Sequence, residues 1–284
     1  MSTTPLTATP VRTQSLVRRH PLISFFVLTY VVTWTLWAPL VVFRDQIPGP
    51  LVFVLIVLGS NVPSVLGVLF VALLRGRSGV RILLGRLLRA RIGLRWYVAA
   101  VALAVPALCA VWVSTLLGGP SPVVVTTISA VVVSFLFSIF PGSAVGEELG
   151  WRGFALPRLQ ARHSALAASL IVGAAWGIYH LPLFLLGSPT RPLALFLPFA
   201  IGCVIMSILY TWMYNGTGGS LLIVVLLHAT TNLPLIVVYA PLGERVVPVF
   251  WLLDAMLAII AAVLIARTGA ATLSRARGKQ IETP

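Results

Sequence analysis

Apolar runs of about 20 residues follow one another along this chain, with short polar breaks between them. A transmembrane helix needs roughly 20 such residues, so each run is long enough to cross a bilayer. Hydrophobic residues make up 59% of the sequence and charged residues 9%, and the mean hydropathy is +1.03, which excludes an ordinary soluble domain. The sequence therefore predicts an all-α, polytopic integral membrane protein. Its predicted spans are about eight transmembrane helices, at 21–43, 51–74, 96–118, 122–146, 164–187, 193–213, 218–240 and 247–266.

Basic residues flank these spans unevenly. They cluster before the first span, between the second and third, after the fourth and after the eighth, at Arg12, Arg18, Arg19, seven Arg within 75–95, Arg152, Arg158, Arg162, Arg267, Arg275, Arg277 and Lys279. The alternate loops hold Arg44, Arg191 and Arg245. This positive-inside pattern predicts a multi-pass protein with both termini cytoplasmic, in a prokaryotic plasma membrane. The net charge of +14 then indicates membrane lipid as a partner and no nucleic acid. The pattern has one gap, because the loop after the sixth span carries no charge.

The chain is predicted to form one transmembrane domain at 21–267. A disordered basic head at 1–20 precedes it, and a basic cytoplasmic tail at 268–284 follows it. Residues 81–92, between spans two and three, alternate Arg with aliphatic residues near helical spacing. Such a pattern is typical of an interfacial helix, so we expect one here with its Arg side chains toward anionic lipid.

Two adjacent carboxylates, Glu147 and Glu148, end an otherwise apolar stretch. They are two of six acidic residues in the chain. A charged group at the centre of a membrane helix costs about 2.5 to 3.5 kcal/mol on insertion scales, so such residues usually face a cavity or a partner. Asp254, in the last span, has no second titratable residue within one turn, and we interpret it as a structural polar residue.

Polar residues recur at a spacing of four in three of the spans. The pairs are Glu148 with Arg152, Trp176 with His180, and His228 with Asn232. On a helix, residues four apart lie on one face, one turn from each other. Three helices are thus predicted to bring two carboxylates, two imidazoles, an amide and a guanidinium together.

Such a set can hydrolyse an acyl bond without a covalent nucleophile. A carboxylate and an imidazole that share a water form a general base, and a second His with an amide can donate hydrogen bonds to the oxyanion. The same atoms can instead hold a divalent metal such as zinc through Glu147, His180 and His228. A serine mechanism through Ser143 is less favoured, because no Gly-x-Ser-x-Gly elbow is present. The non-enzymatic alternative is a membrane transporter, or an immunity or scaffold protein, whose Glu and His residues bind protons or cations.

The order and spacing of these motifs resemble the CPBP family. Its members are CAAX-protease and bacteriocin-processing intramembrane proteases, also called ABI proteins and related to type II CAAX prenyl endopeptidases. The matching motifs are Glu147-Glu148-x-x-x-Arg152, an aromatic-x-x-x-His180 and His228-x-x-x-Asn232, within a core of about 121–235. The resemblance implies a single transmembrane protease domain at 21–267.

The resemblance also implies roles for the residues. Glu147 and His180 would activate water, and His228 with Asn232 would stabilise the oxyanion. Glu148 and Arg152 would support them by orientation and charge pairing. Trp176 stands where the family usually has Phe, so it is expected to provide an aromatic wall.

The implied activity is that of a CAAX prenyl protease-like intramembrane metalloendopeptidase, acting on a membrane-associated or lipid-linked peptide. The cleavage sequence and the oligomeric state stay open. The predicted topology also suggests a cavity that opens toward the cytoplasm.

Overall fold

The computed structural model describes residues 16–43, 46–119, 127–186, 192–234, 242 and 245–275. These residues form helices and connecting turns, with no strand among them, so the prediction of an all-α membrane protein is confirmed. The helices are α1 (Leu16–Arg19), α2 (Pro21–Val42), α3 (Gly49–Gly85), α4 (Leu94–Ala102), α5 (Val105–Leu116), α6 (Ile128–Ile139), α7 (Ala144–Glu148), α8 (Leu156–Gln160), α9 (Ala165–Tyr179), α10 (Leu181–Leu185), α11 (Phe196–Gly216), α12 (Leu221–Pro234) and α13 (Val246–Thr268). A π-helical segment, Leu149–Ala155, joins α7 to α8, and 3₁₀ turns occupy Arg86–Leu88 and Leu193–Leu195.

Seven helical segments within the described residues are long and apolar enough to cross a membrane. The seventh predicted span appears as the shorter helix α12, which has 14 described residues. Residues 1–15 and 276–284, which include most of the predicted head and part of the tail, lie outside the described residues. The division into head, single domain and tail therefore stays a prediction.

The outer surface of the bundle is apolar. Large side chains such as Ile23, Trp112, Val133 and Ile259 are 64 to 66% exposed. In water such a surface would be a strong aggregation liability, whereas in a bilayer it faces lipid chains. The protein is a multi-pass integral membrane protein.

The second predicted span continues directly into the basic segment. Helix α3 runs to Gly85, and Gly76 interrupts it with a φ of 64°, a conformation that glycine adopts without steric cost. Helical structure ends at Leu88, so the separate interfacial helix predicted for 81–92 is shorter than expected. Arg86 is buried and donates a 2.7 Å hydrogen bond to the Tyr214 hydroxyl. Part of the basic segment therefore binds protein rather than lipid.

The uncharged loop after the sixth span lies at this arginine-rich end. The Arg89 guanidinium donates to the Gly218 carbonyl, and the Ser220 hydroxyl donates to the Arg89 carbonyl at 2.8 Å. Nearby, the Asn215 side chain donates to the carbonyl of Thr272 at 2.7 Å, which fastens the segment after α13 to the same end. The gap in the charge pattern is therefore filled by arginines from another loop.

The predicted fourth span is broken in its interior. Helix α6 begins at its cap Thr127, whose hydroxyl accepts the Ala130 N–H at 3.1 Å, and ends at Ile139. A new helix then starts at Ala144 and passes into the π-helical segment. There Gly150 packs so closely on α3 that a Cβ would overlap the carbonyl of Pro63. Small residues allow such close helix contact in membranes, and here they fix α7 against α3.

Candidate functional site

All seven site residues predicted from the sequence come together in one region. Glu147 and Glu148 lie on α7, and Arg152 lies in the π-helical segment that follows. Trp176 lies on α9, and His180 occupies the turn between α9 and α10. His228 and Asn232 lie one turn apart on α12.

The side chain of Glu147 lies against Trp176 on α9 and His180 in the turn that follows α9. It is 1% exposed, and the Trp176 indole N–H donates a hydrogen bond to its Oε2. Its Oε1 lies 3.8 Å from Nε2 of His180. The sequence did not predict the indole contact, because the family resemblance indicated only an aromatic wall at position 176.

The tautomer of neutral His180 follows from its backbone contact. Nδ1 lies 2.8 Å from the carbonyl oxygen of Trp176, which can only accept, so Nδ1 carries the proton. In neutral His180 the lone pair is then on Nε2, the atom that faces Glu147. This arrangement leaves Nε2 able to accept a proton or a hydrogen bond.

Glu148 binds two cationic or potentially cationic groups through the same oxygen. Its Oε1 accepts from Arg152 Nη1 at 2.9 Å and lies 2.8 Å from His228 Nδ1. Arg152 is fully buried, with its guanidinium over the rings of Trp176 at 4.8 Å and Tyr210 at 4.3 Å. Glu148 therefore orients His228, while the aromatic rings hold the arginine that balances its charge.

Two serines complete the site and link its remaining groups. The Ser143 hydroxyl lies 3.2 Å from His228 Nε2 and accepts a 3.2 Å hydrogen bond from Asn232 Nδ2. Asn232 also donates to the Ser138 hydroxyl at 3.0 Å. The sequence pointed to Ser143 only as a less favoured nucleophile, and it did not point to Ser138. Only their proximity in sequence to the glutamates could have marked them.

The site lines a cavity of about 480 Å³ with mainly apolar walls. Glu147, His180, His228 and Asn232 all border it, together with Ser138 and Ser143. Residues from the first turns of α3, α11 and α13 form much of its wall, among them Phe53, Phe199 and Phe250. These turns lie at the ends of their helices away from the arginine-rich end. The cavity therefore extends from the end of the bundle remote from those arginines as far as Tyr210, one turn before the Tyr214 that binds Arg86. Its predicted opening toward the cytoplasm stays a prediction.

The three candidate metal ligands do not form a metal-binding cluster. Across the described ranges, no group of three or more His, Cys, Asp or Glu side chains could hold a metal ion. The reason is visible at His228, whose two ring nitrogens face Glu148 and Ser143. The zinc alternative therefore stays a prediction that this arrangement of donors does not support.

Comparison with known proteins agrees with this geometry. A model of the type II CAAX prenyl endopeptidase Rce1-like family matches residues 129–234, the stretch that contains every site residue described above. A protein of Methanococcus maripaludis, named CAAX prenyl protease 2, is 27% identical over 226 residues, which cover 74% of this chain and 82% of that protein. By both matches, the chain is similar to the CAAX protease family, also known as CPBP, over the part that carries the site.

Proposed function

We propose that this protein is an intramembrane endopeptidase that hydrolyses a peptide bond with water activated by Glu147 and His180. The observation that carries the proposal is that two pairs of groups border one cavity. The first pair, Glu147 and His180, can act on water, and the second, His228 and Asn232, can bind an oxyanion.

The first pair is spaced for a shared water. Oε1 of Glu147 and Nε2 of His180 are 3.8 Å apart, too far for a good direct hydrogen bond. One water oxygen can contact both atoms. As that oxygen attacks the carbonyl carbon of the substrate, Glu147 takes the proton, and the Trp176 N–H holds the carboxylate in position.

The second pair stabilises the charge that develops on the carbonyl oxygen. Asn232 donates through Nδ2, and His228 donates through Nε2 when both of its ring nitrogens carry a proton. Glu148 accepts a hydrogen bond from His228 Nδ1–H and so keeps Nε2 directed at the cavity. Arg152 supports the arrangement by pairing with Glu148. The two carboxylates then balance one guanidinium and one imidazolium.

Collapse of the tetrahedral intermediate completes the reaction. The proton taken by Glu147 passes to the leaving nitrogen, and the C–N bond breaks to give a carboxylic acid and an amine. The acid then gives its proton to the amine, so the final products are a carboxylate and an ammonium group. No step is routed through a metal.

The substrate is proposed to be a membrane-associated or lipid-linked peptide. The apolar walls of the cavity suit apolar side chains or a lipid chain, and the similar protein of Methanococcus maripaludis is named CAAX prenyl protease 2. Membrane lipid surrounds the protein. From the arginine distribution we further propose a prokaryotic plasma membrane with both termini cytoplasmic.

The test is cleavage of a proteome-derived peptide library by the purified protein in liposomes. Glu147→Gln keeps the volume of the side chain but removes the base, so we expect turnover to be lost while peptide binding remains. Each protein is assayed with and without a chelator, and loss of wild-type activity in chelator would restore the metal alternative. No cleavage under any condition would contradict the proposal and favour a transporter or scaffold.

A second variant tests the oxyanion role. Asn232→Ala removes one donor, and we expect the turnover number to fall about 10²- to 10³-fold with little change in peptide binding. A proton or cation carrier has no general need for this amide. Unchanged turnover in Asn232→Ala would refute its assignment.

A further inference from the structure

One buried acid borders the cavity but takes no part in the mechanism above. Asp254, on α13, is 4% exposed, and neither of its carboxylate oxygens has a hydrogen-bond partner in the described structure. A buried charge normally has a partner, because its desolvation is costly. A purely structural role would require a hydrogen-bond partner for the Asp254 carboxylate, and the described structure shows none.

A path of aromatic rings leads from the reaction site toward Asp254. The rings of His180 and Phe199 lie 5.1 Å apart, and those of Phe199 and Phe250 lie 6.5 Å apart. Asp254 follows Phe250 by four residues on α13, so it lies on the same face one turn further along. It borders the same cavity as Glu147 and His180.

The opposite helix makes room for this carboxylate. On α11, Gly202 faces Asp254 so closely that an added Cβ would lie 2.8 Å from Oδ1. The other nearby cavity walls are apolar, and they include Met206, Leu253 and Leu257. No Arg or Lys appears among the described residues that line the cavity. The protein therefore provides an acidic group in this part of the cavity with no Arg or Lys in the described lining beside it.

We propose that Asp254 is a substrate subsite that binds a cationic group of the peptide, namely a Lys or Arg side chain or a terminal amine. The assignment rests on the proposed function for the reaction at Glu147. The ring spacings of 5.1 and 6.5 Å and one further helical turn span a few residues of an extended peptide, which advances roughly 3.3 to 3.6 Å per residue, so the cationic group lies within a few residues of the scissile bond. An ammonium or guanidinium group there forms a charge-assisted hydrogen bond with the carboxylate. A free carboxylate at the same position would be repelled.

The experiment uses neutral ten-residue peptides of Ala and Leu that carry a single Lys, moved along the sequence one position at a time. Matched peptides carry norleucine or acetyl-lysine in place of Lys. We expect wild type to favour Lys at one position by about tenfold or more in kcat/KM, since a hydrogen bond to a charged group contributes roughly 1.5 to 3 kcal/mol. Acetyl-lysine keeps the length but removes the charge, so it should lose this preference.

Two variants connect the preference to Asp254. Asp254→Asn should reduce the ratio of Lys to norleucine cleavage to within about twofold of one, because it removes the charge and keeps the shape. Met256→Leu, a neutral change on α13 outside the cavity lining, should keep the wild-type ratio. Equal cleavage of Lys and norleucine peptides by wild type, or an unchanged ratio in Asp254→Asn, would overturn the subsite.

A binding measurement separates this proposal from the proposed function. Fluorescence anisotropy with the Lys and norleucine peptides is measured on Glu147→Gln and on the double variant that adds Asp254→Asn. Tighter binding of the Lys peptide that depends on Asp254, without cleavage by wild type, would keep the subsite and contradict the peptidase. Cleavage by wild type without a preference for Lys would support the peptidase and contradict the subsite. If Asp254→Asn does not fold, cleavage of the Lys and acetyl-lysine peptides by wild type decides whether the cavity favours a cationic group.

Discussion

The Ser143 hydroxyl lies between the two side chains that we propose for the oxyanion site. It contacts His228 Nε2 and Asn232 Nδ2, both at 3.2 Å. A third group, Glu148, fixes the far side of the His228 ring. Ser143 can therefore hold both donors at the spacing that a substrate oxygen requires, which makes it a positioning residue.

Replacing Ser143 tests this role. We expect Ser143→Ala to lower the turnover number about tenfold with little change in KM, because loss of one hydrogen bond costs roughly 1 to 1.5 kcal/mol. Ser138→Ala is the matched control, since Ser138 contacts Asn232 but has no described contact with His228. It should have a smaller effect. Steady-state kinetics of the two variants make the comparison.

Ser143 contacts His228, and His228 contacts Glu148, so a mechanism with a serine nucleophile can be tested against the positioning role. In a serine hydrolase the same contacts would make Ser143 the nucleophile. A fluorophosphonate that labels Ser143, together with loss of activity in Ser143→Ala as complete as in Glu147→Gln, would contradict the positioning role. Absence of labelling with partial activity would support it.

The sequence predicted the principal site residues because their spacing of four survives in the structure. His228 and Asn232 lie one turn apart on α12, as a helix requires. The contacts between helices could not be predicted in the same way. The indole donor of Trp176 and the hydroxyl of Ser143 act across gaps of 29 and 85 residues, and spacing along one helix carries no information about such contacts.

At the level of elements, the break between α6 and α7 determines where the glutamates lie. The sequence predicted one continuous span at 122–146, whereas the structure has a turn and then a π-helical segment that extends the crossing to Gln160. Apolar composition predicts that a segment crosses the membrane, but it does not resolve a local change in helical pitch. π-Helical turns are frequent at functional sites, and this one lies between Glu148 and Leu156.

The packing of this segment on α3 can be tested at Gly150. A Cβ there would overlap the Pro63 carbonyl, so Gly150→Ala must displace a segment that carries both Glu148 and Arg152. We expect a loss of about 1 to 3 kcal/mol in stability, as for overpacked cores, together with reduced turnover. Thermal unfolding in detergent and peptide cleavage measure the two effects.

Gly85 provides the matched control for a glycine-to-alanine change. It has helical angles, with φ −59° and ψ −24°, and nothing lies within 4 Å of an added Cβ. Gly85→Ala should be neutral or stabilise the protein by up to about 1 kcal/mol. Equal effects of the two substitutions would show that close packing at Gly150 is not important for the site.

For the whole molecule, the charge pattern and the cavity lie toward opposite ends. Arg86 contacts Tyr214 in the last turns of α11, and Arg89 contacts the turn that follows, which brings the arginine-rich segment to one end of the bundle. The cavity wall includes Phe53 and Ser60 from the first third of α3, the helix whose other end carries the arginines. The positive-inside rule predicts that the arginine-rich end is cytoplasmic, and we therefore expect the cavity to be reached from the opposite side of the membrane.

Cysteine accessibility tests this orientation. Cys109 and Cys203 are first replaced by Ala, and single cysteines are then introduced as Ser60→Cys in the cavity wall and Ser78→Cys near the arginines. Ser60 lies about 16 Å along α3 from Gly49, at 1.5 Å per residue, so a small methanethiosulfonate reagent is needed to reach it. In intact cells we expect an impermeant reagent to modify Ser60→Cys and not Ser78→Cys. Inside-out vesicles should give the reverse result.

Ser60→Cys and Ser78→Cys are interpreted together, because the labelling of each is the reference for the other. If both react from the cytoplasmic side, the arginine-rich end is cytoplasmic but the cavity opens toward it, as the sequence alone suggested. If Ser78→Cys reacts only from outside, the predicted orientation of the termini is wrong. If the two cysteines react from opposite sides, with Ser78→Cys labelled from the cytoplasm, peptides approach Glu147 from the outer half of the membrane. This route restricts the substrates to peptide segments that are exposed or embedded in that half.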